Sequence, residues 1–347
     1  MSRRRALVVC PGRGSYDRSC LGQLQARRPA AAAVLDTCDD ARAANGRPTV
    51  RALDAEARFS PALHLAGEHA SLLTFACALA DLADLDADRY DVVGVVGNSM
   101  GFYTALAASG ALPLTEAIRL VETMGGYQEG NVIGGQLLYP LAGSDWKIDV
   151  ALRAAVDAAL ASSGGTAFWS IDLGGTAVLG GTEEGLAHLI ATLPPVERGG
   201  RTFPFRLPLH SAFHTPLLAD TMARAQADLV DLPFQPPRVP LIDGHGSIHR
   251  PRWADPAALW AYTLGPQVVE PFDLQLAVTV ALHHIAPDVV IALGPGNGLG
   301  GPIAQMLVAD GYSGIRDRAA FDARQSGDSP VLLAFGVPEQ RARLVAP

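Results

Sequence analysis

A two-part α/β fold, with a parallel-sheet large subdomain and a smaller inserted one, is predicted by three features of this 347-residue sequence. A short apolar strand at 92–96 runs straight into Gly97-Asn98-Ser99-Met100-Gly101 and then into helical sequence at 102–108. Residues 131–206 read strand, helix, strand, strand, helix, strand. Late in the chain, the apolar run 289–293 meets a second glycine-rich loop, Gly294-Pro295-Gly296-Asn297-Gly298. At about 150 residues per domain, this length suits one large domain with a sizeable insertion, or two domains.

Taken in order, residues 6–10 form a first strand closed by Pro11-Gly12-Arg13-Gly14-Ser15. The preceding Ser2-Arg3-Arg4-Arg5 has the charge of an export signal, but the apolar run after it is too short for one. Alanine-rich helical composition fills 27–86. Between 114 and 124, Ala117, Leu120, Val121 and Met124 recur at helical spacing and predict an amphipathic helix. The inserted unit is expected as strands at 136–141, 167–173, 177–180 and 201–207, with helices at 148–162 and 183–193. That order is ferredoxin-like. Helix 216–229, a proline-rich connector at 232–240, strand 239–243, a helix from 255, strand 289–293 and helix 303–308 follow, then a tail whose order the pattern leaves open. The expected boundaries are 1–130 and 207–347 for the large subdomain and 131–206 for the insert.

Composition narrows the function. With 49% hydrophobic and 18% charged residues and a net charge of −8, the sequence is globular and has no electrostatic case for nucleic acid or an anionic membrane as partner. No run approaches the roughly 18 apolar residues of a spanning helix. Cys10, Cys20, Cys38 and Cys77 have no metal-type spacing; they fit free thiols in a reducing cytoplasm, and no metal site is expected.

The chemistry centres on Ser99. A Gly-X-Ser-X-Gly turn between strand and helix lifts the hydroxyl out of the strand tip, beside the helix N-terminal amides. A serine hydroxyl is a poor nucleophile alone and needs a base within hydrogen-bond reach. Of nine histidines, His214 is the best placed: it sits in Ser211-Ala212-Phe213-His214-Thr215-Pro216, just before a helix start. His210 is its local competitor. His188, His245, His249, His283 and His284 read as surface or core residues.

Four segments, Pro11-Gly12-Arg13-Gly14-Ser15, Gly97-Asn98-Ser99-Met100-Gly101, Ser211-Ala212-Phe213-His214-Thr215-Pro216 and Gly294-Pro295-Gly296-Asn297, resemble in order the signatures of malonyl-CoA:acyl carrier protein transacylases and polyketide-synthase acyltransferase domains. The resemblance implies a hydrolase-like large subdomain and a Ser99–His214 dyad that forms an acyl-serine. It implies backbone amides of Arg13 and Met100 as the oxyanion hole, and CoA or acyl carrier protein thioesters as substrates, with no bound cofactor. The family orients its histidine through a main-chain carbonyl; Glu270-Pro271-Phe272-Asp273 aligns with that segment and places Asp273 at the orienting position. His69 falls where the family has an active-site glutamine, and with Asn98, Phe213 and Met124 it is expected to line the substrate pocket.

The sequence also departs from the pattern. Dicarboxylate-selecting members carry an arginine where this chain has Met124, in Val121-Glu122-Thr123-Met124-Gly125. A thioether cannot pair a carboxylate. Arg119 cannot substitute, because five helical positions rotate it roughly 140° away. The expected guest is therefore a neutral acyl group. Four other readings stay open: an acyl hydrolase on the same fold, a malonyl-CoA:acyl carrier protein transacylase, an α/β-hydrolase using His283 or His284, and a non-catalytic carrier-binding module.

Overall fold

The computed structural model describes residues 3–346. Six strands make the main sheet, in the order Ile248–His249, Leu241–Ile242, Tyr90–Gly97, Arg4–Cys10, Val289–Ala292, Leu332–Ala334. All neighbours run parallel except the outermost pair, Ile248–His249 against Leu241–Ile242. Parallel strands covered on both faces must be apolar throughout, and Ala6 to Cys10 and Val289 to Ile291 are wholly buried. Helices Gly101–Ser109 and Leu274–Ile285 pack directly on the central Tyr90–Gly97 strand.

The second sheet orders its strands Phe272–Asp273, Ala167–Asp172, Thr176–Gly181, Gly135–Pro140, Phe205–Arg206. Within residues 135–206 every neighbouring pair is antiparallel, so the first and second strands run the same way with the third between them, a split βαβ arrangement. Helices Val150–Ser162 and Glu183–Thr192 close a small core around Leu137, Val156, Leu179 and Leu189. Phe272–Asp273 adds to this sheet from outside 131–206, and Ile171 and Val178 pack into the main core. The two parts therefore share a face.

Two local expectations change. The strand expected at 201–207 divides into a hairpin, Val196–Arg198 with Arg201–Phe203, and a short strand Phe205–Arg206. Gly199 and Gly200, at φ 58° and 71°, make the turn, and Pro204 has no N–H to continue the ladder. The tail is ordered: helices Arg318–Gln325 and Pro338–Leu344 flank the edge strand Leu332–Ala334.

A buried charge cluster fastens the C-terminal elements to the site end of the sheet. Asp81, fully buried, accepts hydrogen bonds from Arg27 and Arg341 at 2.7 Å each and from the Gly294 amide at 2.9 Å. Removing Asp81 leaves the buried Arg27 and the partly exposed Arg341 to share the one carboxylate of Asp84, at 3.1 and 3.5 Å, and strips the Gly294 amide of its acceptor. Asp81→Ala is thus expected to cost about 3–5 kcal/mol in urea unfolding; a loss below about 1 kcal/mol would refute this role.

Candidate active site

Three parallel strands end at one rim, and their loops build the site: Arg4–Cys10 delivers Gly12 and Arg13, Tyr90–Gly97 delivers Ser99, and Val289–Ala292 leads to Gly298 and Leu299. Ligand sites of open parallel sheets lie at such carboxyl ends. The cavity there measures about 270 Å³ and is closed on the far side by Gln136, Leu138, Ile171, Leu173 and Val178 of the second sheet. It lies just below the usual 300–1,000 Å³ of small-molecule sites.

Ser99 sits at φ +56°, a strained value for a residue with a Cβ, held by close backbone packing around the elbow. A Cβ on Gly97 would come within 2.1 Å of the Gly101 carbonyl oxygen, and one on Gly101 within 2.3 Å of the Cys10 carbonyl oxygen. Only glycine lets the strand tip, the first loop and the helix start meet at this distance.

Ser99 Oγ lies 2.7 Å from His214 Nε2, and His214 Nδ1 lies 2.7 Å from the Gln267 carbonyl oxygen. A carbonyl only accepts, so Nδ1 carries the proton and Nε2 is the bare acceptor facing the hydroxyl. Burial lowers the His214 pKa to about 4, against a smaller opposing effect of the Gln267 hydrogen bond. The ring is neutral at physiological pH and free to take a proton. His214 itself is held at φ +57°, with its amide donating to the Val268 carbonyl at 3.1 Å. Thr215 Oγ1 donates to the Ala212 carbonyl, and Ser170 Oγ to that of Phe213, pinning the loop from both sides.

Gln267 carries more than the histidine. Its side-chain amide donates to the Ser99 carbonyl at 3.1 Å and accepts from the Tyr103 hydroxyl at 2.7 Å, so one residue joins the elbow, its helix and the histidine loop. Neither Gln267 nor Tyr103 was among the sequence candidates. No motif marks them, and the contact depends on packing between segments over 160 residues apart.

The orienting role expected of Asp273 is corrected. Its carboxylate caps helix Leu274–Ile285, accepting from the Leu276 amide at 2.7 Å, while the orienting acceptor is the Gln267 carbonyl. His69 also lies elsewhere: its Nδ1 is 2.8 Å from Nη2 of the fully buried Arg42, and it does not line the cavity. Asn98, Met100, Phe213 and Met124 do line it. His210 is there too, its pKa lowered to about 3 by burial and the nearby Arg13 charge, with Nδ1 on the Pro208 carbonyl instead of on Ser99. Arg119 is outside, paired with Asp231 at 2.9 Å.

Among the described residues, the amides of Arg13 and Met100 donate to no protein acceptor. A Cβ on Gly12, next to Arg13, would lie 3.5 Å from Ser99 Cβ, so the first loop packs against the elbow. Helix Gly101–Ser109 begins directly after Met100.

Solved structures share this fold over essentially the whole chain. An acyl-carrier-protein S-malonyltransferase from Burkholderia pseudomallei 1710b is 22% identical, with 98% of each chain covered and a TM-score of 0.73. A malonyl-transacylase solved with its type II polyketide-synthase acyl carrier protein is 18% identical, covering 98% of this chain and 99% of that one at a TM-score of 0.72. The acyltransferase domain from the second module of the salinomycin polyketide synthase is 20% identical, covering 99% and 72% at 0.69. No protein-family profile and no curated protein sequence matches the chain.

Proposed function

We propose that the chain, built on the fold of these acyl-transferring proteins, is an acyltransferase that carries an acyl group from a CoA or carrier-protein thioester to an acyl carrier protein thiol. The observation that carries this reading is the Ser99–His214 contact, with the histidine in its neutral, Nδ1-protonated tautomer at the cavity floor. Ser99 Oγ attacks the thioester carbonyl while His214 Nε2 takes its proton. The Arg13 and Met100 amides, beside a helix N-terminus, stabilise the oxyanion. As the C–S bond breaks, the leaving thiolate takes the proton back from His214, leaving acyl-Ser99 and a free thiol. A second thiol then reverses the sequence and removes the acyl group. Substrates of this kind need no bound cofactor. Among the described residues no helix is long and apolar enough to cross a membrane, and all four cysteines are buried and free; a reducing cytoplasm is the proposed workplace.

Intact-protein mass after mixing with acyl-CoAs tests the reading. An adduct on Ser99 that passes to a carrier protein supports the transferase; release of free acid without transfer would establish the hydrolase reading instead.

The pH dependence follows from the buried histidine. Only neutral His214 can accept the proton, and its lowered pKa extends the neutral form to acid pH. The second-order rate of Ser99 acylation is expected to stay level from pH 8 to about 5 and halve near 4. A half-point near the ordinary histidine value of about 6.5 would contradict it.

A neutral guest was expected because Met124 leaves its wall apolar. Arg13 lines the same cavity, with its guanidinium over the Phe213 ring and Nη2 donating to the Leu209 carbonyl.

A further inference from the structure

We infer, on the basis of the acyl-Ser99 reading above, that Gln128 and Gln136 are together the specificity-determining pair of the cavity and select an acyl group that carries a hydroxyl. Both line the cavity, and both are tied to the loop that carries the base. Gln136, 1% exposed, donates from Nε2 to Ser170 Oγ at 2.6 Å, and Ser170 Oγ donates to the Phe213 carbonyl at 2.7 Å. Gln128, 7% exposed, accepts at Oε1 from Ser211 Oγ at 2.8 Å, and Ser211 Oγ accepts from the Ile133 amide at 3.0 Å.

The two serines fix which way each amide faces. A carbonyl only accepts, so the single Ser170 proton goes to Phe213, and the Gln136 atom facing Ser170 must be the donor Nε2. Ser211 already accepts from a backbone amide, so its proton goes to Gln128 and holds Oε1 toward it. Gln136 Oε1 and Gln128 Nε2 are left over, and among the described residues neither has a protein partner. Unlike Asn98 Oδ1 and the Arg13 nitrogens Nε and Nη1, these two atoms are not closed off from solvent. The cavity thus receives one bare acceptor and one bare donor.

A buried polar group without a partner is costly, and native structures keep one where something else completes it. A hydroxyl has a proton to give Gln136 Oε1 and lone pairs to accept from Gln128 Nε2. A carboxylate has no proton for Gln136, and an alkyl chain leaves both amides unmet. Arg13 offers the guest no free donor in exchange, since Nη2 is on the Leu209 carbonyl and the other two nitrogens are closed off. Gln267, Tyr103 and Ser71, also in the lining, spend their polar groups on protein partners. The neutral guest that Met124 predicts is therefore a polar one.

The test is the initial rate of acyl-Ser99 formation, read by intact mass, with 2-, 3- and 4-hydroxybutyryl-CoA against butyryl-CoA and malonyl-CoA. The readout is the hydroxyl-to-alkyl rate ratio, in which a loss common to all thioesters cancels. Wild type is expected to load one hydroxybutyryl thioester at least about tenfold faster than butyryl-CoA. Gln136→Met and Gln128→Met, which keep the length of the side chain and remove its amide, are each expected to lower that ratio about tenfold. Ser170→Ala leaves both amides in place but frees Gln136 to turn, and is expected to lower the ratio about threefold. Thermal melts show which variants are folded, and Ser170→Ala carries the test should a glutamine variant not be. A wild-type ratio near one for every hydroxybutyryl thioester, an unchanged ratio in the folded variants, or faster loading of malonyl-CoA than of any hydroxybutyryl thioester would each overturn the inference while leaving the acyl-enzyme intact. No adduct from any thioester would remove both.

Discussion

Ser99→Ala is expected to eliminate the covalent adduct altogether and to lower thioester turnover by roughly 10⁴-fold or more. The size follows from what the variant removes. Without Oγ there is no atom to carry the acyl group, and the remaining cavity and amide donors can only assist direct attack by water or a second thiol. Alanine at φ +56° is strained much as serine is, so the elbow need not rearrange. His214→Ala is expected to act through the same step with a loss of similar order. Serine then keeps its proton, and the Gln267 carbonyl loses its partner. The two losses should not add, because each variant disables one unit. Turnover within tenfold of wild type in Ser99→Ala would show that the hydroxyl is not the nucleophile.

Gly101→Ala should be the most damaging single substitution for folding near the site. The added methyl would lie 2.3 Å from the Cys10 carbonyl oxygen and 2.6 Å from that of Pro11, both backbone atoms at the end of a central strand. No rotamer change relieves such an overlap; the helix start must move away from the first loop. Loss of more than about 3 kcal/mol, or of soluble protein, is expected in urea unfolding. Gly301→Ala is the control: it lies in helix Gly300–Asp310, and a Cβ there meets nothing within 4 Å. That variant should be neutral or more stable by up to about 1 kcal/mol. Equal stability of the two variants would mean that the elbow is looser than its contacts imply.

These outcomes bear on how far the sequence could be read. The elbow at Ser99 was legible because a local rule, glycines flanking a serine between strand and helix, records a local constraint. The pairing of His214 with Ser99 was expected from its place before a helix start and from the family resemblance; what ties the elbow to the histidine loop in the fold is Gln267, with Val268 beside it. That link was illegible. A backbone carbonyl leaves no trace in residue identity, and aligning Glu270-Pro271-Phe272-Asp273 with the family's segment put the role at Asp273, six positions after the Gln267 carbonyl that performs it. The sequence did hold a warning, since an aspartate directly before a helical run is a typical cap, and that is what Asp273 is. His69 was drawn away by Arg42, 27 positions earlier, through a contact that no short-range pattern encodes. The strand order of the main sheet was equally hidden: its edge strand comes from the tail, where periodicity was weakest.

The acceptor that fixes His214 belongs to the main chain, and this gives the dyad an unusual mutational landscape. A carboxylate in that role disappears with one codon change, and every intermediate on the way to a new enzyme risks losing it. The Gln267 carbonyl survives all substitutions at its own position. Random mutation can therefore explore position 267 and the cavity walls while the imidazole keeps its tautomer. What such drift would alter first is the Gln267 side chain's grip on Ser99 and Tyr103. On this scaffold, changes of substrate preference should accumulate sooner than loss of the base.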